Sequence, residues 1–140
     1  MYELLLFLHF VGLAMGVGTG FAHLALGIAM KGVPPEERAK VALRNLVLSK
    51  NGSIGLLLLI VSGVGLTIMR TIPATFAIPA FHAKLTLVVI FIGVFGYSQA
   101  LGARAKRENG GPALAKLPVV GRVMFFLGLA IVAAAVIAFK

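Results

Sequence analysis

Hydrophobic positions along this chain form four long runs separated by short, more polar segments. The runs cover about residues 2–30, 52–69, 80–102 and 119–139. Each is long enough to cross a hydrocarbon core about 30 Å thick, which takes about twenty residues of α-helix. A backbone inside a bilayer has to satisfy its own hydrogen bonds, so each run is predicted to be a helix. The pattern predicts an all-α fold, an integral membrane antiparallel four-helix bundle that forms one domain over residues 1–140.

An amphipathic helix is predicted between the first two runs, at about residues 35–49. Pro35 suits the first turn of a helix, and Glu36 suits its positive end. Basic residues follow Glu36 at four-residue spacing, with apolar residues on another side. We expect this helix to lie on the cytoplasmic membrane surface or to extend the second run, with a break or bend at Asn51 and Gly52.

The composition agrees with a membrane protein. Of 140 residues, 60% are hydrophobic and 12% are charged, whereas a soluble domain carries about 25% charged residues. The net charge of +9 would suit a nucleic-acid partner, but most of the basic residues lie in two connecting segments, 31–50 and 104–122. The positive-inside rule places both segments in the cytoplasm and both termini outside an inner membrane. We therefore expect lipids as partners and no nucleic acid, with a short apolar loop at 71–79 in the outer interface.

Histidine and glycine share one stripe of the first predicted helix. At about 100° per residue the stripe spans roughly 80°. Its members are His9, Gly12, Gly16, Gly20, His23 and Gly27. Bare backbone admits either a flat cofactor or a neighbouring helix at short range. His9 and His23 are separated by about 21 Å along the axis, so they are predicted to lie in opposite leaflets.

The third run also begins with ionisable residues, His82 and Lys84, followed by a stripe of small side chains. In the predicted topology His9, His82 and Lys84 lie near the same outer surface, and ionisable groups within spans are expected to be functional. His9 and His82 can face each other as axial ligands of a b-type haem. On this hypothesis Gly12 and Gly16 leave room for the macrocycle.

Other functional groups can be assigned around the same site. Arg70 and Lys84 would pair with the haem propionates, and Lys84 is also the candidate catalytic residue. His23 is a weaker metal-ligand candidate, because it would need its symmetry mate in a homodimer to complete an inner site.

Each of these residues also has a structural interpretation. His9 and His82 can be interfacial histidines bonded to backbone, and Lys84 can extend its ammonium group to the interface. Arg70 can anchor the end of a span, and His23 can serve in packing. The glycine stripe can be a surface for helix packing.

Several kinds of chemistry are not expected. The chain has no cysteine, so a disulfide framework, a thiolate metal site and a c-type haem attachment are excluded. Its four acidic residues lie at ends or in loops, so hydrolytic and phosphoryl-transfer chemistry are not expected.

Three short motifs resemble a superfamily of small membrane proteins. They are Leu8-His9, Glu37-Arg38-Ala39-Lys40 and Phe81-His82-Ala83-Lys84-Leu85. The superfamily includes the HemJ-type protoporphyrinogen oxidases and the CopD-type copper-resistance membrane domains. The HemJ-type histidine and lysine, tied to haem binding and porphyrinogen oxidation, fall on His9 and Lys84. The family's tryptophan is absent, since this chain contains none.

Taken together, these patterns predict a haem-binding inner-membrane protein with redox chemistry. That chemistry is either electron transfer or HemJ-like porphyrinogen oxidation, with quinone or a redox protein as partner. One alternative is a cofactor-free accessory or assembly subunit, as a homodimer or within a larger membrane complex. The other is CopD-like copper handling along His9, Met15 and His23, although the methionines form no cluster at ligand spacing.

Overall fold

The computed structural model describes residues 1–70 and 77–138, and every regular element in those ranges is a helix. In chain order the helices are α1 (Tyr2–Ala29), α2 (Pro35–Asn45), α3 (Leu48–Met69), α4 (Pro79–Arg107) and α5 (Gly111–Ala138). Four helices are long and apolar enough to cross a membrane. The prediction of an all-helical chain with four membrane-length helices is therefore confirmed. Most of the predicted interfacial loop, residues 71–76, lies outside the described residues.

Helices α1 and α3 pack with their backbones in contact. Gly12 and Gly55 are both buried at this crossing. A methyl group placed on Gly12 would lie 2.8 Å from the Gly55 carbonyl oxygen, and one placed on Gly55 would lie 2.9 Å from the Gly12 carbonyl oxygen. Only glycine at both positions permits this approach, which is the small-residue packing common in membrane helices.

The contacts between α1 and α3 extend along most of both helices. They pair Leu5 with Gly65, His9 with Gly63, Gly12 with Gly55 and Thr19 with Gly52. Residue numbers rise along α1 as they fall along α3, so these two helices are antiparallel.

Helices α4 and α5 form a second closely packed pair. A small core joins Leu101 and Ala105 of α4 to Ala113 of α5, with Leu43 of α2 packed against it. Further along, α1 meets α5, where Phe21 and Phe125 make an edge-to-face contact with ring centroids 4.8 Å apart. Over the described residues, the backbone of α4 makes only sparse contact with α1 or α3.

The break before the second long helix lies elsewhere than expected. Helix α2 ends at Asn45 and α3 begins at Leu48, so the chain stays helical through Asn51 and Gly52. Both residues serve packing instead, because the Asn51 amide donates a hydrogen bond to Thr19 Oγ1 at 2.9 Å. A methyl group on Gly52 would lie 3.5 Å from the Thr19 side chain.

The last two helices are longer than the apolar runs that predicted them. Helix α4 continues to Arg107, and its basic last turn suits the negative end of a helix. Helix α5 begins at Gly111 and continues through Pro118. Hydropathy identifies only the apolar part of a helix, whereas the added turns at these ends contain polar and basic residues.

Candidate functional site

His9 projects from α1 onto α3, about two turns from the start of its helix. Its Nδ1 lies 2.9 Å from Ser62 Oγ. The ring also packs on Gly63, where a methyl group would lie 3.3 Å from His9 Cε1. Ser62 is 1% exposed, so the hydroxyl that meets the imidazole is fully enclosed between the helices.

The hydrogen bonds of Ser62 assign the proton on the His9 ring. The Ser62 hydroxyl has a single hydrogen, which it donates in a hydrogen bond to the Leu58 carbonyl oxygen at 2.5 Å. Ser62 Oγ therefore accepts from His9 Nδ1–H. The unprotonated nitrogen of the neutral ring is then Nε2, the atom that can accept a proton or bind a metal.

Lys84, on α4, lies close enough to His9 for its positive charge to act on the imidazole. It lies about one turn from the start of α4 and is half-buried. An imidazole, a buried hydroxyl and an ammonium group from three helices thus lie at the same end of the protein. This cluster of His9, Ser62 and Lys84 is the candidate functional site.

His82 lies on a different side of α4 from Lys84. Two residues correspond to about 200° of rotation around a helix. His82 is exposed, and it heads a stripe of exposed residues made up of Val89, Gly93, Gly96 and Ala100. A methyl group on Gly93 or Gly96 would meet no atom within 4 Å. The small-residue stripe of α4 is therefore an open face in the single chain, and we call it the α4 open face.

The glycines predicted to flank a macrocycle are positioned differently from that expectation. Gly12 is buried against the backbone of α3. A methyl group placed on Gly16 would lie 3.9 Å from Leu59 Cδ1. Gly20 faces the Phe125 ring of α5. This part of the α1 stripe packs against neighbouring helices, so any flat ligand held by His9 has to lie on a side other than that of Gly12.

The two remaining candidates are His23 and Arg70. His23 is half-buried one turn beyond Thr19, toward the other end of α1. Arg70 is exposed at the end of α3, next to the residues that are not described.

No group of three or more His, Cys, Asp or Glu side chains arranged to hold a metal ion is found within residues 1–70 and 77–138. Haem needs only one or two protein ligands, so that finding leaves the haem hypothesis untouched.

Ser62 is the functional candidate that sequence reasoning missed. Its seven-residue spacing from Gly55 indicates a packing face and says nothing about a histidine on another helix. The signal that could have identified it is a hydroxyl residue in the middle of an apolar run, at the depth of His9.

Comparison with known proteins finds no match among protein-family models, curated proteins or solved structures. The resemblance to HemJ-type and CopD-type proteins therefore stays a prediction.

Proposed function

We propose that this chain is a multi-pass protein of the inner membrane that binds haem b through His9 and takes part in one-electron redox chemistry. Four helices of membrane length and the concentration of basic residues between them support the location and the placement of both termini outside. The observation that carries the haem assignment is the hydrogen bond of His9 Nδ1 to Ser62.

The donor chemistry of His9 fits an axial iron ligand. Histidines that bind metals almost always donate their other ring N–H to a fixed acceptor, which sets the tautomer and raises the basicity of the binding nitrogen. Ser62 is such an acceptor, and its own hydrogen bond to Leu58 holds it in place. The predicted cradle at Gly12 does not fit, because α3 fills it. A macrocycle held by His9 Nε2 would therefore need space outside the close crossing of α1 and α3.

The neighbouring residues then have distinct tasks. Ser62 orients the His9 ring, and Lys84 supplies a positive charge for a propionate carboxylate on the α4 side. Bound haem would supply one-electron exchange with quinone or a redox protein, and Lys84 remains the candidate catalytic residue for HemJ-like porphyrinogen oxidation.

Absorption spectra of the purified protein test this proposal. In mild detergent, with haemin added where needed, we expect a Soret band that sharpens on reduction. His9→Ala is expected to abolish it, because the variant removes the ligand. His82→Ala is expected to retain it, because His82 lies on the α4 open face, and His23→Ala is the matched control in the other half of α1.

Two results would contradict the proposal. One is the absence of any tetrapyrrole absorption in the unmodified protein after reconstitution. The other is a His9→Ala protein that binds haemin as tightly as the unmodified protein. Each variant should elute from a sizing column at the same position, so that misfolding is separated from lost ligation.

The α4 open face favours a second candidate, a cofactor-free accessory subunit that docks a partner helix. Gly93 and Gly96 allow another backbone to approach closely, as Gly12 and Gly55 do between α1 and α3. Gly96→Leu separates the two candidates. It should disrupt a complex that depends on this face and leave a haem spectrum at His9 unchanged.

A further inference from the structure

A groove on α4 lies near the opposite end of the helix from Lys84. It has a volume of about 210 Å³ and is lined by Tyr97, Ala100, Leu101, Ala103, Arg104 and Arg107. These residues come from the last three turns of α4, and the two arginines belong to the basic segment 104–122 that the charge pattern places in the cytoplasm. The groove is separate from the His9 cluster.

The polar end of the groove carries two positive charges without a compensating carboxylate. Arg104 and Arg107 are exposed and lie about one helical turn apart. Within residues 1–70 and 77–138, neither guanidinium group has a hydrogen-bond or ion-pair partner. Glu108 is the one acidic residue in this part of the sequence. Its carboxylate lies beside Gly111, because a methyl group placed on Gly111 would be 2.9 Å from Glu108 Oε2. Both guanidinium groups are therefore available to an anion.

The other end of the groove is apolar. Ala100 and Ala103 leave a shallow channel because their side chains are small, and buried Leu101 forms part of its wall. Tyr97 is 52% exposed, so its ring provides a second wall on the side toward the middle of the helix. A hydrocarbon chain can lie along this channel with its polar end at the arginines.

We propose that this groove binds one anionic phospholipid, with the phosphate on Arg104 and Arg107 and an acyl chain against Ala100 and Tyr97. Guanidinium groups bind phosphate oxygens through paired, charge-assisted hydrogen bonds. Two uncompensated cations favour a headgroup with net negative charge, because the ammonium group of a zwitterionic lipid would be repelled. Basic pockets on the cytoplasmic side of membrane helices are suited to such headgroups.

Native mass spectrometry of the detergent-purified protein tests the proposal. Phosphatidylglycerol and phosphatidylcholine with the same acyl chains are titrated separately, and we expect tighter binding of phosphatidylglycerol at one site. The double variant R104Q/R107Q is expected to weaken that site on the order of thirtyfold, at about 1 kcal/mol for each cation. The matched control K106Q/K116Q removes the same charge outside the groove and should leave the site intact.

Two further measurements distinguish a built lipid site from general attraction to a basic surface. Ala100→Leu keeps every charge but fills the channel, so it should weaken phosphatidylglycerol binding. Inorganic phosphate at millimolar concentration should not displace the lipid, because it lacks the acyl chain. The proposal is overturned if the two double variants lose affinity equally, if Ala100→Leu has no effect, or if inorganic phosphate competes. Helical circular dichroism confirms that each variant is folded.

Discussion

His9 illustrates how a polar ring is accommodated in an apolar helix. Its Nδ1–H donates a hydrogen bond to the Ser62 hydroxyl on α3, and that hydroxyl donates one to the Leu58 carbonyl oxygen of its own helix. Among the described residues, no buried side-chain nitrogen or oxygen is left without a hydrogen-bond partner. An unpaired donor in a membrane interior would cost several kcal/mol, on the order of the value for a buried polar group in alkane. These two hydrogen bonds satisfy His9 Nδ1–H and the Ser62 hydroxyl, and Nε2 is then the ring nitrogen without a proton.

Ser62→Ala tests the hydrogen bond between His9 and Ser62 in the haem-free protein. We expect the fixed Nδ1–H form of His9 to become a mixture of tautomers, because the acceptor is removed. Nitrogen NMR of protein labelled at histidine measures this directly, and the chain has only three histidines to assign. With haem added, the same variant should bind about 10- to 100-fold more weakly, as expected when a metal ligand loses its orienting partner.

Thr67→Val is the matched control for Ser62→Ala. The Thr67 hydroxyl also donates to the carbonyl oxygen four residues earlier, at 2.8 Å from Gly63. No described hydrogen bond links it to His9, so the tautomer and the haem affinity should stay unchanged. An unaltered His9 signal in Ser62→Ala would contradict the assigned hydrogen bond.

At the scale of helices, similar patterns of small residues have two different environments. On α1, Gly12 meets the backbone of α3, and on α4, Gly93 and Gly96 meet no neighbour within 4 Å. The pattern marks a face on which a close approach is sterically allowed. Which of these faces is covered by another helix of the same chain depends on how the helices pair. In this fold α1 pairs with α3, and α4 pairs with α5.

Alanine substitutions on the two faces should therefore have opposite effects. Gly12→Ala is expected to destabilise the protein by about 1–3 kcal/mol, since a methyl group there overlaps backbone atoms of α3. Gly96→Ala is expected to be neutral or stabilising by up to about 1 kcal/mol, because alanine is the better helix former and has open space. Thermal unfolding in detergent, followed by circular dichroism, measures both.

Controls for this pair come from the same helices. Gly18 on α1 meets no atom within 4 Å, so Gly18→Ala should behave like Gly96→Ala. If Gly12→Ala unfolds at the same temperature as Gly18→Ala, the close crossing of α1 and α3 is wrong. If Gly96→Ala is strongly destabilising, the α4 open face is covered by another chain in solution.

Hydropathy alone was sufficient to predict four long helices, because the length of an apolar run is a local property. The position of the break near Leu46 was not predictable, since Asn51 and Gly52 have the composition of a turn and act in packing against Thr19. The candidate site was predictable in part. An ionisable residue in an apolar run identifies His9 and Lys84, but only the helix arrangement shows Ser62 beside His9 and places His82 on an exposed face.

At the scale of the molecule, α5 connects the two helix pairs. It packs along α4 and also meets α1 through Phe125. The basic end of α4 and the amphipathic helix α2 meet near the start of α5. There Leu43 packs against the core of Leu101, Ala105 and Ala113. The His9 cluster and the arginine groove therefore lie at opposite ends of the protein, with Lys84 near the start of α4 and Arg107 at its last turn. In the proposed topology they belong to opposite leaflets.

Cysteine labelling in intact cells tests that topology on the whole chain. Since the natural sequence has no cysteine, each introduced thiol is the single target of a membrane-impermeant maleimide. We expect Tyr2→Cys to react from outside, and Lys31→Cys and Glu108→Cys to react only after the membrane is permeabilised, because basic segments stay in the cytoplasm. The three positions are exposed, so burial within the protein does not protect them.

The reverse pattern would place the His9 cluster in the cytoplasmic leaflet and the arginine groove in the outer one. In that case redox partners of His9 would have to be sought in the cytoplasm, and the positive-inside argument would be wrong for this chain.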